Sequence, residues 1–462
     1  VSRTCEARSV VMRGCVMRII GRQVSVELVG LWLLELTISF WLGCILLGAG
    51  LADAPRSGVA NHAMVLALTG TLTGFAIGLY RADVFRRIRS MLVSTALGSL
   101  VVFPAAWVAS LVLGVNTDRL LGRDDFWPLK IVVTWVVAVF AVRLLFLAAV
   151  RANVFVRRVG VLGPVGAIAR TATIVRTTQR GFIEIEDARD AGGSLPAAAA
   201  LREAGIRDLI AIHGAPSILA PAVRATYEAA GITIETEAQF WERHLKRVDV
   251  DNLDAAWFSA LHDSAGGRLQ SFVNRAGDIA ASLLLLLFTL PLMVLAAVLI
   301  RLDSPGPALY RQVRVGAGGR PFTVLKFRSM RVDAEARGPV WAKQRDPRVT
   351  RVGAFMRRTR IDELPQLLNV LRGQMSFIGP RPERPHFVGQ LAEVIPFYHE
   401  RTRVKPGLTG WAQVNFPYGA SVEDARNKLS YDLYYVKYRS PLLDLAIMFA
   451  TVRVILFQEG SR

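Results

Sequence analysis

The chain has 462 residues, room for about two to four domains, and is 52% hydrophobic with a mean hydropathy of +0.35. Its formal net charge is +19, yet a basic nucleic-acid binder would lack its long apolar runs, so no nucleic-acid partner is expected. Three cysteines, Cys5, Cys15 and Cys44, make neither a metal spacing nor a disulfide framework.

Greasy and basic together point to a membrane protein with a positive cytoplasmic surface. Four apolar runs fill the first third, at roughly 28–50, 62–80, 91–115 and 129–150. Each is close to the ~20 residues of a spanning helix. The first run is too long for the core of a signal peptide, despite "ADA" at 52–54, and it is read as a retained helix. The loops alternate in charge. Arg3, Arg8, Arg13, Arg18 and Arg22 precede the first run and Arg56 alone follows it. Arg81, Arg86, Arg87 and Arg89 come next, and then Arg119 and Arg123 are balanced by Asp118, Asp124 and Asp125. Arg151, Arg157 and Arg158 follow the fourth run. This predicts a four-helix transmembrane bundle over 1–150, with the N-terminus and everything after residue 150 in the cytoplasm.

Residues 151–265 read as a Rossmann-like α/β domain. "RRVGVLGPVGAIAR" gives a strand, a Gly turn and a helix start; "IRDLIAIHG" and "GITIETE" give further strands. The turn Gly163–Gly166 is an incomplete dinucleotide fingerprint, so a tight turn in a scaffold domain is favoured over a nucleotide site. A fifth apolar segment covers 276–300, with Pro291 in its middle and Arg275 and Arg301 at its flanks. Pattern alone leaves two readings level, a full crossing and a helix kinked at Pro291 that returns to the side it entered.

The chemistry-bearing residues follow. "LDSPGPALYRQVRVGAGGRPFTVLKFRSM", 302–330, reads as two strands joined by "GAGG", the second ending in the candidate phosphate ligands Lys326 and Arg328. In 346–385, Arg348, Arg351, Arg357, Arg358, Arg360, Arg372, Arg381 and Arg384 are interleaved with apolar residues and pinned by prolines. Fixed guanidinium forks suit phosphate oxygens. Among them, "RIDELPQLLN" sets Asp362 beside Glu363. The local sequence by itself favours a helix cap, with an acid at the N-cap and proline in the first turn. The same place suits a nucleophile, because a helix N-terminus and neighbouring arginines lower a carboxylate pKa and keep it ionised. Such a carboxylate can attack phosphorus. It can also carry a divalent metal, which here would arrive with the substrate phosphates because no dedicated cage is present. Histidines at 62, 213, 244, 262, 386 and 399 have no ligand spacing, so zinc is not expected. The amphipathic stretches 387–400 and 440–457 suit lipid headgroups and a protein core equally.

From about 270 to 462 the chain resembles the bacterial sugar transferase family, the catalytic part of polyprenyl-phosphate glycosyl-1-phosphate transferases, also called monotopic phosphoglycosyl transferases. The resemblance is carried by "LDSPGPALYRQVRVG", "KFRSM", "DPRVTRVG", "RIDELPQLLNVLRGQMSFIGPRPERP", "VKPGLTGWAQV" and "YDLYYVKYRSPLLDLAIM". The preceding helices and Rossmann-like domain resemble the larger members that start exopolysaccharide or O-antigen repeat units. The resemblance implies transfer of a hexose-1-phosphate from a UDP-sugar to undecaprenyl phosphate, with release of UMP and a requirement for Mg2+. It implies Asp362 as the nucleophile and metal contact, Glu363 as its partner, Lys326, Arg357 and Arg381 as phosphate-handling cations, and Pro382 in the turn that positions Arg381. It also implies that 272–300 is a re-entrant helix broken at Pro291, in a catalytic domain on the cytoplasmic face of the bacterial inner membrane. The sugar, glucose or galactose by resemblance, and a homodimer are left open. A polytopic transferase, in which the lipid phosphate attacks directly, would carry more spanning runs. The remaining alternative is a membrane-bound, nucleotide-binding scaffold acting through 151–265, which would leave the arginines and acids of 300–385 without a task.

Overall fold

The structure, a computed structural model, describes residues 16–19, 22–48, 56–77, 88–112, 127–151, 156–178, 183–189, 196–212, 220–253, 257–259, 268–334, 346–416, 419 and 421–457. Cys5, Cys15, His213 and His262 lie outside them, as do most of the arginines read from the first loops. The chain mixes helix and sheet and divides into two compact units, Val1–Leu245 and Lys246–Arg462.

In the first unit, two short antiparallel strands, β1 (Val16–Ile19) and β2 (Arg22–Ser25), precede four apolar helices. These are α1 (Val26–Gly48), α2 (Arg56–Ile77), α3 (Ile88–Val112) and α4 (Trp127–Arg151). Their packing uses small residues. The fully buried indole of Trp135 lies against Gly70 and Gly98, where a Cβ would come within 2.5 and 2.2 Å of the ring. Only glycine admits a ring so close to a helix backbone. Glu35 of α1 and Arg143 of α4, both fully buried, pair at 2.8 Å, which keeps two charges tolerable among apolar side chains.

The same unit holds a parallel sheet of β3 (Arg157–Leu162), β4 (Ile183–Asp187), β5 (Asp208–Ala211) and β6 (Thr233–Thr236) in the order β4-β3-β5-β6. Helices α5 (Val165–Thr178), α6 (Ala198–Glu203) and α7 (Pro221–Ala229) connect successive strands. The first glycine of the turn after β3 has a packing task, since a Cβ on Gly163 would lie 2.8 Å from the Cβ of Ile212.

The second unit takes in residues from Lys246 onward. Val248 N donates to Ser430 O, and Trp411 Nε1 donates to Lys246 O. Its main core joins Val248, Val250 and Trp257 to α11 (Pro385–Val394), Tyr398, α12 (Val422–Tyr438) and α13 (Pro441–Phe457). The hairpin of β7 (Leu309–Val315) and β8 (Pro321–Phe327) turns through Gly318 and Gly319, both at positive φ, as the "GAGG" turn requires.

The apolar helix α8, Arg268–Asp303, has 36 residues, about 54 Å if straight. Its Ser271–Asp303 stretch is, among the described residues, the one helix long and apolar enough to cross a membrane. It is helical through Pro291. Its middle is exposed, with Leu287 at 70% and Phe288 at 73%. Both ends are tied to the same unit. Near its start, Arg275 donates to Val370 O at 2.6 Å and Leu371 O at 2.7 Å, and Asp278 accepts from Ser376 Oγ and Phe377 N. Near its end, Arg328 donates to Ser304 O at 2.7 Å and Pro305 O at 2.6 Å, and Ala296 and Ile300 pack on Phe327 and Met356.

Asn369 fastens helix to hairpin. It sits in α10 (Leu367–Leu371), fully buried, and its side chain stands in for a neighbouring strand. Its Oδ1 accepts from Leu325 N, and its Nδ2 donates to Thr323 O and Gln374 Oε1. Replacing Asn369 by Leu orphans the buried N–H of Leu325 and removes the partner of the C=O of exposed Thr323 on β8, at about 1–3 kcal/mol. Asn369→Leu is expected to melt several degrees below the wild type in detergent; an unchanged melting temperature would show that the clasp is dispensable.

Candidate active site

Helix α9 (Arg351–Thr359) is capped at its start by the Thr350 hydroxyl, which accepts from Gly353 N. It ends at Arg360, which takes a left-handed conformation with φ +61°. A side-chain-bearing residue there costs about 1–2 kcal/mol. The reversal starts a six-residue 3-10 helix, Ile361–Gln366, that carries both acids in its first turn. Ile361 packs against the cluster containing Ala296 and Ile300, so the acid-bearing turn rests on the apolar helix.

Neither acid is an N-cap. Arg360 holds that position, and no side chain caps the turn. Asp362 and Glu363 are both buried, and their surroundings differ sharply. Glu363 Oε1 accepts from Arg381 Nη2 at 2.7 Å and from Lys326 Nζ at 3.3 Å, with Arg360 Nη1 at 3.9 Å. Among the described residues, the Asp362 carboxylate has no hydrogen bond or ion pair. The two acids therefore titrate apart. Burial opposes ionisation of Glu363, but Arg381 and Lys326 overcome it and hold the carboxyl well below its usual range. For Asp362, burial is the largest effect and adjacent Glu363 adds to it, so its pKa is raised although Lys326, Arg357 and Arg381 pull the other way. This corrects the expectation of a lowered value. Glu363 holds Lys326 and Arg381 at its own oxygen, and its negative charge adds to the effect of burial on Asp362.

The sequence-predicted cations fall into two groups. Lys326, at the end of β8, and Arg381 converge on Glu363. Burial pushes the Lys326 ammonium down, whereas Glu363 pushes Arg381 up. Arg357 stands near Asp362 and donates from Nε to Ser329 Oγ at 2.9 Å. Arg328 is used differently. It is buried, and its guanidinium is spent on the carbonyls of Ser304 and Pro305 past the end of α8, as a brace. Pro382 is buried, and its carbonyl accepts from Arg314 Nη1 at 3.0 Å, which steadies the turn after Arg381. Pro291 lies within α8.

Three glycines explain why that turn is so close-set. A Cβ on Gly379 would meet Lys405 O at 2.3 Å, one on Gly407 would meet Gly379 N at 2.1 Å, and one on Gly410 would meet Gly379 O at 2.1 Å. Two short parallel strands, β9 (Ser376–Ile378) and β10 (Gly407–Thr409), thus bring "FIGPRP" against "PGLTG". Residues without a role in the sequence reading also enter the site. Ser329 is one; Arg360, read in the sequence only as one of eight interleaved arginines, lies at i,i+3 spacing from Glu363, the signal for its particular partner.

Asp362 and Glu363 sit side by side on one turn, and no group of three His, Cys, Asp or Glu side chains able to hold a metal occurs among the described residues. With Glu363 already neutralised by cations, the chain offers a divalent ion little more than Asp362. That donor set fits an ion whose other ligands are water and substrate phosphates.

Comparison with known proteins gives the family. Residues 269–458 match the family model described as bacterial sugar transferase. Over 259 residues the chain is 41% identical to an Aeromonas hydrophila protein named UDP-N-acetylgalactosamine-undecaprenyl-phosphate N-acetylgalactosaminephosphotransferase, covering 52% of this chain and 61% of that one. It is 42% identical over 194 residues to the UDP-glucose:undecaprenyl-phosphate glucose-1-phosphate transferase of Escherichia coli (strain K12), covering 42% of each. It is 45% identical over 189 residues to the exopolysaccharide production protein PSS of Rhizobium leguminosarum bv. phaseoli, covering 39% of this chain and 93% of that one. The matches thus span less than two thirds of the first two relatives. With the family model matched over 269–458, which includes Asp362 and Glu363, and 93% of a relative covered at 45% identity, the chain belongs to the bacterial sugar transferase family.

Proposed function

We propose that this chain transfers a hexose-1-phosphate from a UDP-sugar to undecaprenyl phosphate through a covalent intermediate on Asp362, the first step of an exopolysaccharide or O-antigen repeat unit. One observation carries the reading: of two adjacent buried acids, Glu363 engages the cations and Asp362 is left unpaired beside them. A carboxylate destined only for structure would take the nearest guanidinium. One held unpaired, with a raised pKa, is more basic and free to attack.

In the first half-reaction, an Asp362 carboxylate oxygen attacks the phosphorus bearing the sugar. The bond from that phosphorus to the bridging oxygen breaks, and UMP leaves with the electron pair. In the second, an oxygen of the lipid phosphate attacks the same phosphorus and expels Asp362 as a carboxylate. The products are a lipid diphosphate sugar and the original enzyme. Arg357, Lys326 and Arg381 supply fixed positive charge where negative charge gathers, at no cost of reorganisation. Glu363 keeps Lys326 and Arg381 at the acid-bearing turn. Mg2+ entering with the diphosphate, with Asp362 as its protein contact, would neutralise further charge.

The placement suits a lipid acceptor. Helix α8 is apolar and exposed along its middle, and both of its ends are bound to the unit that holds the acids. A helix crossing the membrane completely would put its ends on opposite faces of an apolar layer about 30 Å thick, so the attachment of both ends to one unit favours a re-entrant helix. A re-entrant helix around Pro291 keeps both ends on one face and sets Asp362, resting on that helix through Ile361, at the membrane surface. In the same reading, α1 to α4 form a transmembrane bundle in the bacterial inner membrane. The β4-β3-β5-β6 sheet is a Rossmann-like cytoplasmic domain, and the catalytic domain occupies about 270–462. The scaffold alternative is weakened by Gly163, whose side-chain-free surface is used by Ile212.

Asp362→Asn keeps shape and loses the nucleophilic charge. The variant is expected to stay folded and membrane-bound while UMP release falls at least ~10³-fold, a barrier increase of about 4 kcal/mol. Glu363→Gln is expected to be strongly impaired. Mass spectrometry of the wild type given donor alone should show a hexose-phosphate adduct on the peptide containing Asp362. Near wild-type turnover of Asp362→Asn would refute the assignment.

The pH dependence has a definite sign. Asp362 must be ionised to attack, and its pKa is raised, so the rate is lost as pH falls through a value above the ordinary aspartate range. Lys326→Met removes a cation that lowers this pKa, so the acid limb of single-turnover UMP release should move to higher pH. A limb that stays in place, or moves down, would contradict the arrangement.

For topology, cysteines placed singly at Ser271 and Leu302, in a background without native cysteines, should react with an impermeant thiol reagent from the same side of the membrane. Labelling from opposite sides would rule out the re-entrant helix.

A further inference from the structure

Three groups outside the reacting cluster are joined to Arg381. Arg401, buried in the 3-10 turn Tyr398–Arg403, donates from Nη2 to the backbone carbonyl of Arg381 at 3.0 Å. The same Nη2 lies 2.7 Å from Asp432 Oδ2, and Nη1 donates to Tyr398 Oη at 2.8 Å. Asp432 is buried on α12, the long helix of the main core. The path runs from that core through Asp432 and Arg401 to the Arg381 carbonyl, and from the Arg381 side chain to Glu363 beside Asp362.

A buried aspartate and a buried arginine are expensive to maintain and need a matched geometry. Here the guanidinium fork donates to two oxygens, Tyr398 Oη and Arg381 O, while pairing by charge with Asp432, which a lysine ammonium on a flexible stem does not reproduce. The carbonyl it holds belongs to a turn that already has little freedom. Gly379 N donates to Thr409 O, and Gly407 N donates to Pro380 O. These bonds fix the chain before Arg381, and Arg314 fixes Pro382 after it. Arg401 fixes Arg381 itself.

We propose that Arg401, held by Asp432 and Tyr398, is a positioning residue that locks the Arg381 turn and thereby sets where the Arg381 guanidinium meets Glu363 and the transferring phosphate. This rests on the transferase reading above. The charged and titratable groups facing Asp432 are Arg401 and Tyr398 from the 3-10 turn, Glu383 from the Arg381 turn, and Lys428 from its own helix. Burial pushes the Asp432 carboxyl up to about 6, against the pull of Arg401. The strut is therefore charged above about pH 6 and loses its anion as pH falls through that value.

The test uses the full chain in detergent, with Arg401→Lys, Asp432→Asn and Tyr398→Phe, the last removing a single hydroxyl as a variant that folds. In the kinetic arm, kcat for UMP release from a UDP-sugar should fall at least tenfold in Arg401→Lys, while KM for the donor stays within threefold. Asp432→Asn should lose the part of the acid limb near pH 6 and keep the part due to Asp362. In the second arm, hydrogen exchange at pH 7 should quicken in the peptide spanning Gly379–Arg384 in Arg401→Lys and Asp432→Asn. Wild-type kcat and an unchanged pH profile in both variants would overturn the inference. A wild type that releases no UMP from any UDP-sugar would sink the transferase reading instead; the exchange arm would then decide the strut alone, quickened exchange supporting it and unchanged exchange overturning it.

Discussion

The carboxylate of Glu363 organises the site. Without it, Lys326, Arg360 and Arg381 would be like charges crowded around one turn, repelling each other in a region with little water to screen them. With it, one oxygen gathers three cations from three separate elements: the end of β8, the end of α9 and the turn after β9. The consequence for Asp362 is indirect and decisive. Its neighbour occupies the cations, so Asp362 is surrounded by positive potential without being bound by it. Two residues of nearly the same chemistry, side by side, are thereby given different electrostatic surroundings by what each can reach.

The turn that carries them is held from both sides. Below it, Ile361 packs on the apolar helix, whose ends are tied to the unit through Arg275, Asp278 and Arg328. Beside it, Asn369 clasps β8, and the close approach of Gly379, Gly407 and Gly410 brings Arg381 within reach of Glu363. The left-handed Arg360 is the strained point of this frame. Its cost is offset locally by the pairing of its own side chain with Glu363. Preorganisation of this kind suits phosphoryl transfer, where the protein's contribution is largely position and fixed charge.

Much of this was legible in the linear sequence. The GAGG hairpin, the apolar helix over 276–300 and the pairing of Asp362 with Glu363 were all marked by local signals: turn glycines, an uninterrupted apolar run, and acids set in arginine-rich surroundings. Lys326, Arg357 and Arg381 were identified through resemblance in motif, and the fold brings Lys326 and Arg381 onto Glu363 with Arg357 near Asp362. Arg328 was grouped with them because it follows Lys326 by two residues. Along β8 Lys326 is only partly buried and reaches Glu363, whereas Arg328, just past the strand's end, is buried against the end of α8. The helix-cap reading of Asp362 was the reasonable local choice, and the backbone reversal at Arg360 displaces it.

The sequence by itself marked the apolar helix, the hairpin and the charged residues that the fold gathers, because apolar periodicity, turn glycines and charged motifs act over a few neighbouring positions; the class of chemistry came from resemblance in motif. It could not decide how positive charge is shared between two adjacent acids. That depends on Lys326 and Arg381, 36 and 19 residues away from Asp362 in the chain, meeting at one oxygen of Glu363. Nor could it reveal that Arg401 and Asp432 brace the Arg381 carbonyl from the core. Electrostatic contacts of this kind are set by distances and burial across elements, and those exist only once the chain has folded.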